Sequence, residues 1–247
     1  MHSDNPTAAI LVIGDEILSG RTREGNAHYL AGILTDRGFD LREIRVVSDD
    51  QDAIVAAIRA LDKSLGGAWD HLFTSGGIGP THDDITADAV ALAFGTTLAE
   101  NPQARAAMQA RYDRLGVELT PNRLRMARVP VGARLIDNPV SAAPGFAIGH
   151  TYVMAGVPEV FRAMVDQVMP GLKAGRPTHS LSVEVPRGES DVAEDLAAIA
   201  AENPDLSLGS YPFMREGRYG TNLVVRGLDA DRVAAVMAAL KERLKLT

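Results

Sequence analysis

The stretch His71-Leu-Phe-Thr-Ser-Gly-Gly-Ile-Gly-Pro-Thr-His-Asp-Asp-Ile-Thr86 decides how the rest of the chain is read. A short apolar run ends at Ser75 and meets Gly76, Gly77, Gly79, Pro80, Thr81 and the adjacent pair Asp83 and Asp84. A helical pattern follows over residues 87–94 and stops at Gly95. This order predicts a strand, a tight loop and a helix start. Glycines let the backbone approach a ligand closely, a helix N-terminus offers unpaired N–H groups to an anion, and carboxylates suit a hard cation. The chemistry that results is a phosphate-bearing ligand with a metal. The loop lacks the Gly-Lys-Ser/Thr ending of a Walker loop, and His82 stands where a dinucleotide fingerprint needs its third glycine.

Upstream of the loop, residues 8–13 form a continuous apolar run with Ile10, Val12 and Ile13, the pattern of a strand buried on both faces. It leads into Gly14, Asp15 and Glu16. A helix is predicted over 26–37, with Leu30, Ile33 and Leu34 on one face and Gly38 as its stop. Residues 39–47 return as a strand. Ser48-Asp49-Asp50 precedes a helix carrying Ile54, Ala57, Ile58 and Leu61, with Asp50 as its N-cap. Residues 69–74 are the third strand. Such alternation predicts right-handed crossovers and a parallel sheet covered by helices, with ligands beyond the carboxyl ends of the strands. All three acidic loops lie on that edge.

Downstream, Asn101-Pro102 opens a helix closed by Gly116, and Thr120-Pro121 opens a short one through Met126. Short strands at 134–136 and 145–148 flank a loop over 138–144. A strand at 152–155 turns through Gly156 into a helix with Val160, Phe161, Met164, Val165 and Val168. Residues 171–179 read as a linker. Beyond it come a strand (180–185), a helix (189–202), two strands (206–211 and 222–225) and a closing helix (229–244). The expected division is therefore a larger domain over 1–172 and a small α+β domain of βαββα order over 173–247.

At 247 residues, 46% hydrophobic and 23% charged, the chain has the composition of a globular protein. A net charge of −7 argues against a general nucleic-acid or anionic-membrane surface. With no cysteine, disulfides, thiolate zinc sites and cysteine nucleophiles drop out together. Residues 1–7 lack the blocks of a signal peptide and no apolar run approaches membrane-spanning length, so a cytoplasmic location is expected.

Each candidate has a plainer reading. A helix cap needs one aspartate and a turn needs one or two glycines, whereas this loop holds three glycines and two carboxylates, which favours function. Asp15 and Glu16 could be solvated surface groups, Asn26 a helix cap, and Asp49 part of a capping loop. Pro144 and Gly145 could be a rigid turn, and Glu159 the acid that a helix dipole favours in its first turn.

Taken together, Gly14-Asp15-Glu16-Ile17-Leu18-Ser19-Gly20 with Asn26, and the run from Gly76 to Thr86, resemble the molybdopterin-binding-like (MoCF) domain. That domain occurs in the competence/damage-inducible protein CinA and at the N-terminus of eukaryotic FAD synthases. Gly209-Ser210-Tyr211-Pro212 and the run from Ala89 to Gly95 are similar to the FAD synthase version. The resemblance implies a three-layer α/β/α sandwich with a mostly parallel sheet. It also implies a pterin or nucleotide diphosphate ligand and self-association as a dimer or trimer. Where CinA proteins read Pro-Gly-Pro-Pro, this chain reads Ala155-Gly156-Val157-Pro158.

The resulting expectation is a metal-dependent nucleotide pyrophosphatase acting on ADP-ribose, FAD or a related dinucleotide. Asp83 and Asp84 would be catalytic and would hold Mg²⁺ or Co²⁺ with Asp15, Glu16 or Asp49. Ser75, Gly76, Gly77, Gly79, Thr81, Asn26, Pro144, Gly145 and Glu159 would bind the nucleotide. The alternatives are a non-catalytic pterin or nucleotide module and an adenylyltransferase acting on molybdopterin.

Overall fold

The computed structural model describes residues 4–215 and 217–246, which form two compact units, 4–175 and 176–246. The first opens with β1 (Thr7–Ile13), α1 (Asp15–Leu18), α2 (Asn26–Asp36), β2 (Asp40–Val47), α3 (Gln51–Leu61), β3 (His71–Ser75) and α4 (Thr86–Ala93). It continues with β4 (Leu98–Glu100), α5 (Pro102–Leu115), α6 (Pro121–Leu124), β5 (Arg128–Pro130), β6 (Arg134–Ile136), β7 (Gly145–Ile148), β8 (Thr151–Met154) and α7 (Pro158–Val168).

Six strands make one sheet in the order β2-β1-β3-β8-β7-β6. The four strands β2, β1, β3 and β8 run parallel, while β7 and β6 run antiparallel to their neighbours. Side chains alternate across the pleat, so the apolar runs serve two cores. Ile10, Val12, Phe73 and Met154 face Leu30 and Leu34 of α2 and Phe161 and Met164 of α7. On the opposite face, Leu11, Ile13, Leu72 and Val153 meet Ile54, Ile58 and Leu61 of α3 and Val90 of α4. Each such buried side chain contributes about 1.5–3 kcal/mol. The result is a three-layer sandwich.

Caps follow the sequence signals closely. Asp50 accepts from the Ala53 amide at 2.8 Å, Asn101 accepts from Gln103 and Ala104, and Gly116 takes the left-handed conformation that ends α5. Asp62 is fully buried at the end of α3, where it accepts from the Thr151 hydroxyl at 2.6 Å, the Ser64 amide at 2.7 Å and the His150 amide at 3.2 Å. It thereby fixes α3 to the start of β8.

Several features depart from the sequence reading: residues 15–18, read as an acidic loop, form α1, and the strands expected at 206–211 and 222–225 run over Ser207–Arg215 and Arg218–Gly227. β4 and β5 pair as a separate two-stranded sheet; at three residues each they carry no periodicity to read. The expected helix over 189–202 begins later, as a short 3-10 turn at Glu189–Asp191 precedes the α-helix proper.

The second unit holds β9 (His179–Val185), α8 (Ala193–Glu202), β10 (Ser207–Arg215), β11 (Arg218–Gly227) and α9 (Ala230–Arg243). Its antiparallel sheet has the order β10-β11-β9. Val185, Leu223 and Val225 pack against Ile199 of α8 and Val233, Met237 and Leu240 of α9. No helix among the described residues is long and apolar enough to cross a membrane.

Candidate functional site

Three parallel strands deliver their carboxyl ends to one edge, and each ends in a loop of the kind the sequence singles out. The loop after β3 is built by its glycines. Gly76 has φ 110° and a side chain there would stand 2.2 Å from the Ile13 carbonyl oxygen; Gly77 has φ 68° and its added carbon would stand 2.1 Å from Thr86 Oγ1. Only glycine meets both the conformation and the contact. Thr86 ties the loop ends together, with its hydroxyl donating to the Gly76 carbonyl (3.1 Å) and its amide to that of Gly77 (3.0 Å).

Asp84 shapes the far half of the loop. Its Oδ1 accepts from the Gly79 amide at 2.7 Å, and its Oδ2 from the Thr81 amide at 2.8 Å and from the Thr81 hydroxyl. Asp83 instead points outward, with its side chain 61% exposed and His82 Nδ1 at 3.7 Å. The neighbouring Thr81 hydroxyl, its own backbone amide and His82 hold the Asp83 carboxyl below the usual carboxylate range. Neither aspartate caps α4, whose preceding residue is Ile85.

Asn26 is 7% exposed and does not cap its helix; Glu24 does, accepting from the Asn26 and Ala27 amides at 2.9 and 3.0 Å. The Asn26 amide group instead donates to Ser75 Oγ at 2.9 Å and to the Gly156 carbonyl at 2.8 Å. One side chain thus joins α2, the end of β3 and the turn after β8. A hollow of about 80 Å³ lies here, lined by Glu16, Thr22, Arg23, Asn26, Ser75 and Gly76 among others.

A cleft of about 510 Å³ opens over the glycine loop. Its lining includes Glu16, Gly76, Gly77, Gly79, Asp84 and, from the facing wall, Met126, Ser141, Val157 and Val160. Pro144 lines a recess behind the loop, and Gly145 is buried where an added side chain would meet the Val153 carbonyl oxygen at 2.4 Å. Glu159 is exposed in the first turn of α7 and is not among the lining residues. The apolar wall residues Met126 and Val160 had no sequence signal, being ordinary members of helical patterns, whereas Val157 stands in the stretch where this chain departs from the CinA pattern.

A hydrogen bond from a backbone amide joins two of the acidic loops. Asp49 accepts from the Asp15 amide at 2.9 Å. Burial pushes its carboxyl above the usual range, and the charges of Asp15, Glu16 and Asp83 push the same way against that hydrogen bond. Among the described residues, no three His, Asp or Glu side chains converge tightly enough to enclose an ion by themselves. An all-oxygen, dispersed donor set fits Mg²⁺, which keeps several waters and relies on one or two carboxylates plus substrate phosphates.

A glycine loop beneath a cleft of this size, at the carboxyl edge of a parallel sheet, is where open α/β folds place their ligands. Residues 9–174 match the model of the probable molybdopterin binding domain, and the chain belongs to that family. Residues 177–247 match the FAD synthase middle domain. A protein of Metallosphaera sedula is 33% identical over 254 residues, covering 97% of this chain and 93% of that one. A probable FAD synthase of Caenorhabditis elegans is 31% identical over 262 residues, 96% of this chain but only 50% of that protein. Among solved structures, the protein CinA from Thermoplasma acidophilum, described as of unknown function, aligns with a TM-score of 0.61. The two are 35% identical over 68% of this chain and 99% of that one.

Proposed function

We propose that this protein is a metal-dependent pyrophosphatase that hydrolyses a dinucleotide such as ADP-ribose or FAD to AMP and a phosphorylated product. The observation that carries this reading is a cleft lined by the glycine loop and by Glu16, close to Asp49, whose carboxyl feels the charges of Asp15, Glu16 and Asp83. The Gly77 and Ile78 amides, which donate to no group among the described residues, and the N-terminus of α4 would hold the diphosphate. Asp84 and Thr86 keep the loop in the shape that presents them. Asp83, with Asp15, Glu16 and Asp49, would hold Mg²⁺ or Co²⁺. When bound, such a cation neutralises phosphate charge and lowers the pKa of an attacking water. The carboxylates alone would repel the substrate, which is why the reading requires the metal.

Incubation with ADP-ribose, FAD, NAD, CoA and ATP, with and without Mg²⁺ or Co²⁺, tests it. Metal-dependent release of AMP from one of the diphosphates supports the hydrolase. Retention of nucleotide without product on any metal would replace it with the binding-module reading.

A further inference from the structure

Behind the glycine loop the cleft continues into a recess of about 20 Å³, which shares Gly77, Ile78, Gly79, Asp84 and Met126 with it. That volume admits one oxygen-sized group and no ring. Two arginines line the recess, Arg125 and Arg128, and the Nε–H of each is buried without an acceptor. Arg128 has one carboxylate near it, Asp88 at 3.4 Å. Arg125 has none: among the described residues its guanidinium makes no hydrogen bond and no ion pair. Asp84 lines the same recess, but its oxygens are engaged by Gly79 and Thr81.

A guanidinium is charged at any working pH, and a buried N–H without an acceptor is rare in native proteins. The cleft therefore has the Glu16 carboxylate in its lining and, in the recess behind its floor, a half-buried guanidinium whose Nε–H has no acceptor. The occupant that satisfies both the charge and the volume is an oxygen of a phosphate reaching down from the cleft. We propose that Arg125 binds a phosphoryl oxygen of the ligand, making it the cation that reads the ligand's charge in this site. This deepens the diphosphate reading of the cleft and rests on it.

Calorimetric titration with methylenediphosphonate in the presence of Mg²⁺ tests the assignment on the full chain. Arg125→Gln is expected to weaken binding at least ~10-fold, the loss of a charge-assisted hydrogen bond. Arg125→Lys keeps the charge but not the planar fork, and should weaken binding by ~3-fold or more. The control Arg105→Gln removes an exposed arginine paired with Glu100 at 2.8 Å and should leave affinity within ~2-fold. If Arg125→Gln fails to fold by circular dichroism, the Lys variant decides alone. Wild-type affinity in the folded Arg125 variants, or no diphosphonate binding by the unmodified protein, overturns the assignment. AMP release is scored separately. Normal hydrolysis in Arg125→Gln would overturn only the role of Arg125, whereas Arg125-dependent binding without hydrolysis of any dinucleotide would overturn only the hydrolase.

Discussion

Removing the amide of Asn26 should loosen the site and the fold together. In Asn26→Ala two hydrogen bonds disappear, to Ser75 Oγ at 2.9 Å and to the Gly156 carbonyl at 2.8 Å. Each bond is worth about 0.5–1.5 kcal/mol net, and stranding a buried partner adds about 1 kcal/mol more. Ser75 is 3% exposed, so its hydroxyl cannot turn to water, whereas Gly156 is exposed and its carbonyl can. The sum is about 2–4 kcal/mol, which for a domain of this size lowers the thermal midpoint by roughly 5–15 °C. Asn26→Asp should be at least as damaging at neutral pH, because it sets a carboxylate oxygen against the Gly156 carbonyl. Thermal and urea unfolding followed by circular dichroism measure this, with AMP release measured in parallel. A midpoint within about 1 °C of the unmodified protein in both variants would refute the idea that this side chain joins the three elements.

Further expectations follow from the same geometry. Asp83→Asn should abolish turnover with an unchanged thermal midpoint, since that side chain is exposed. Asp84→Ala should lose turnover and about 2 kcal/mol of stability, because Gly79 and Thr81 lose their acceptor; the reverse pattern in unfolding and AMP-release assays would contradict the division of roles. Asp49→Asn keeps an acceptor for the Asp15 amide and removes a charge that the folded state disfavours. After solvent screening it should stabilise the protein by about 0.5 kcal/mol while weakening Mg²⁺-dependent activity, and a lowered midpoint would argue against the shared acidic field. Burial, and then the charge of His150, hold His71 below its ordinary pKa, outweighing Asp70 and Asp62. Below about pH 6.5 the unfolded chain then binds the extra proton first, so stability present above that pH is lost as pH falls through the folded value. His71→Phe should flatten the change in urea midpoint between about pH 7.5 and about pH 5.

Much of the sandwich was legible because it depends on local patterns. A short continuous apolar run such as 8–13, too short for a typical buried helix and rich in β-branched residues, reads as a strand buried on both faces, and Asp50, Asn101 and Gly116 cap helices through chemistry that the neighbouring residues alone determine. The glycine loop was readable for the same reason, since residues that tolerate φ above zero mark where the chain must take it. The two-stranded sheet of β4 and β5 was not, because three residues hold less than two periods.

The sequence by itself therefore determined the order of the main strands and helices, the parallel part of the sheet and the edge on which the acidic residues gather. Tertiary structure alone decided what each polar side chain does. Asn26 looks like a helix cap until Glu24 is seen to take that task and Ser75, 49 positions away, is seen beside its amide. Asp83 and Asp84 are adjacent in sequence and chemically alike, yet one faces solvent and the other turns inward to close the loop. Arg125 is unremarkable in a helical stretch and gains meaning only from the acceptor it lacks. The reason is range. Periodicity and capping are settled within a few residues of chain, whereas hydrogen-bond partners and electric fields are settled by whichever distant segments the packing of two apolar faces brings within a few ångströms.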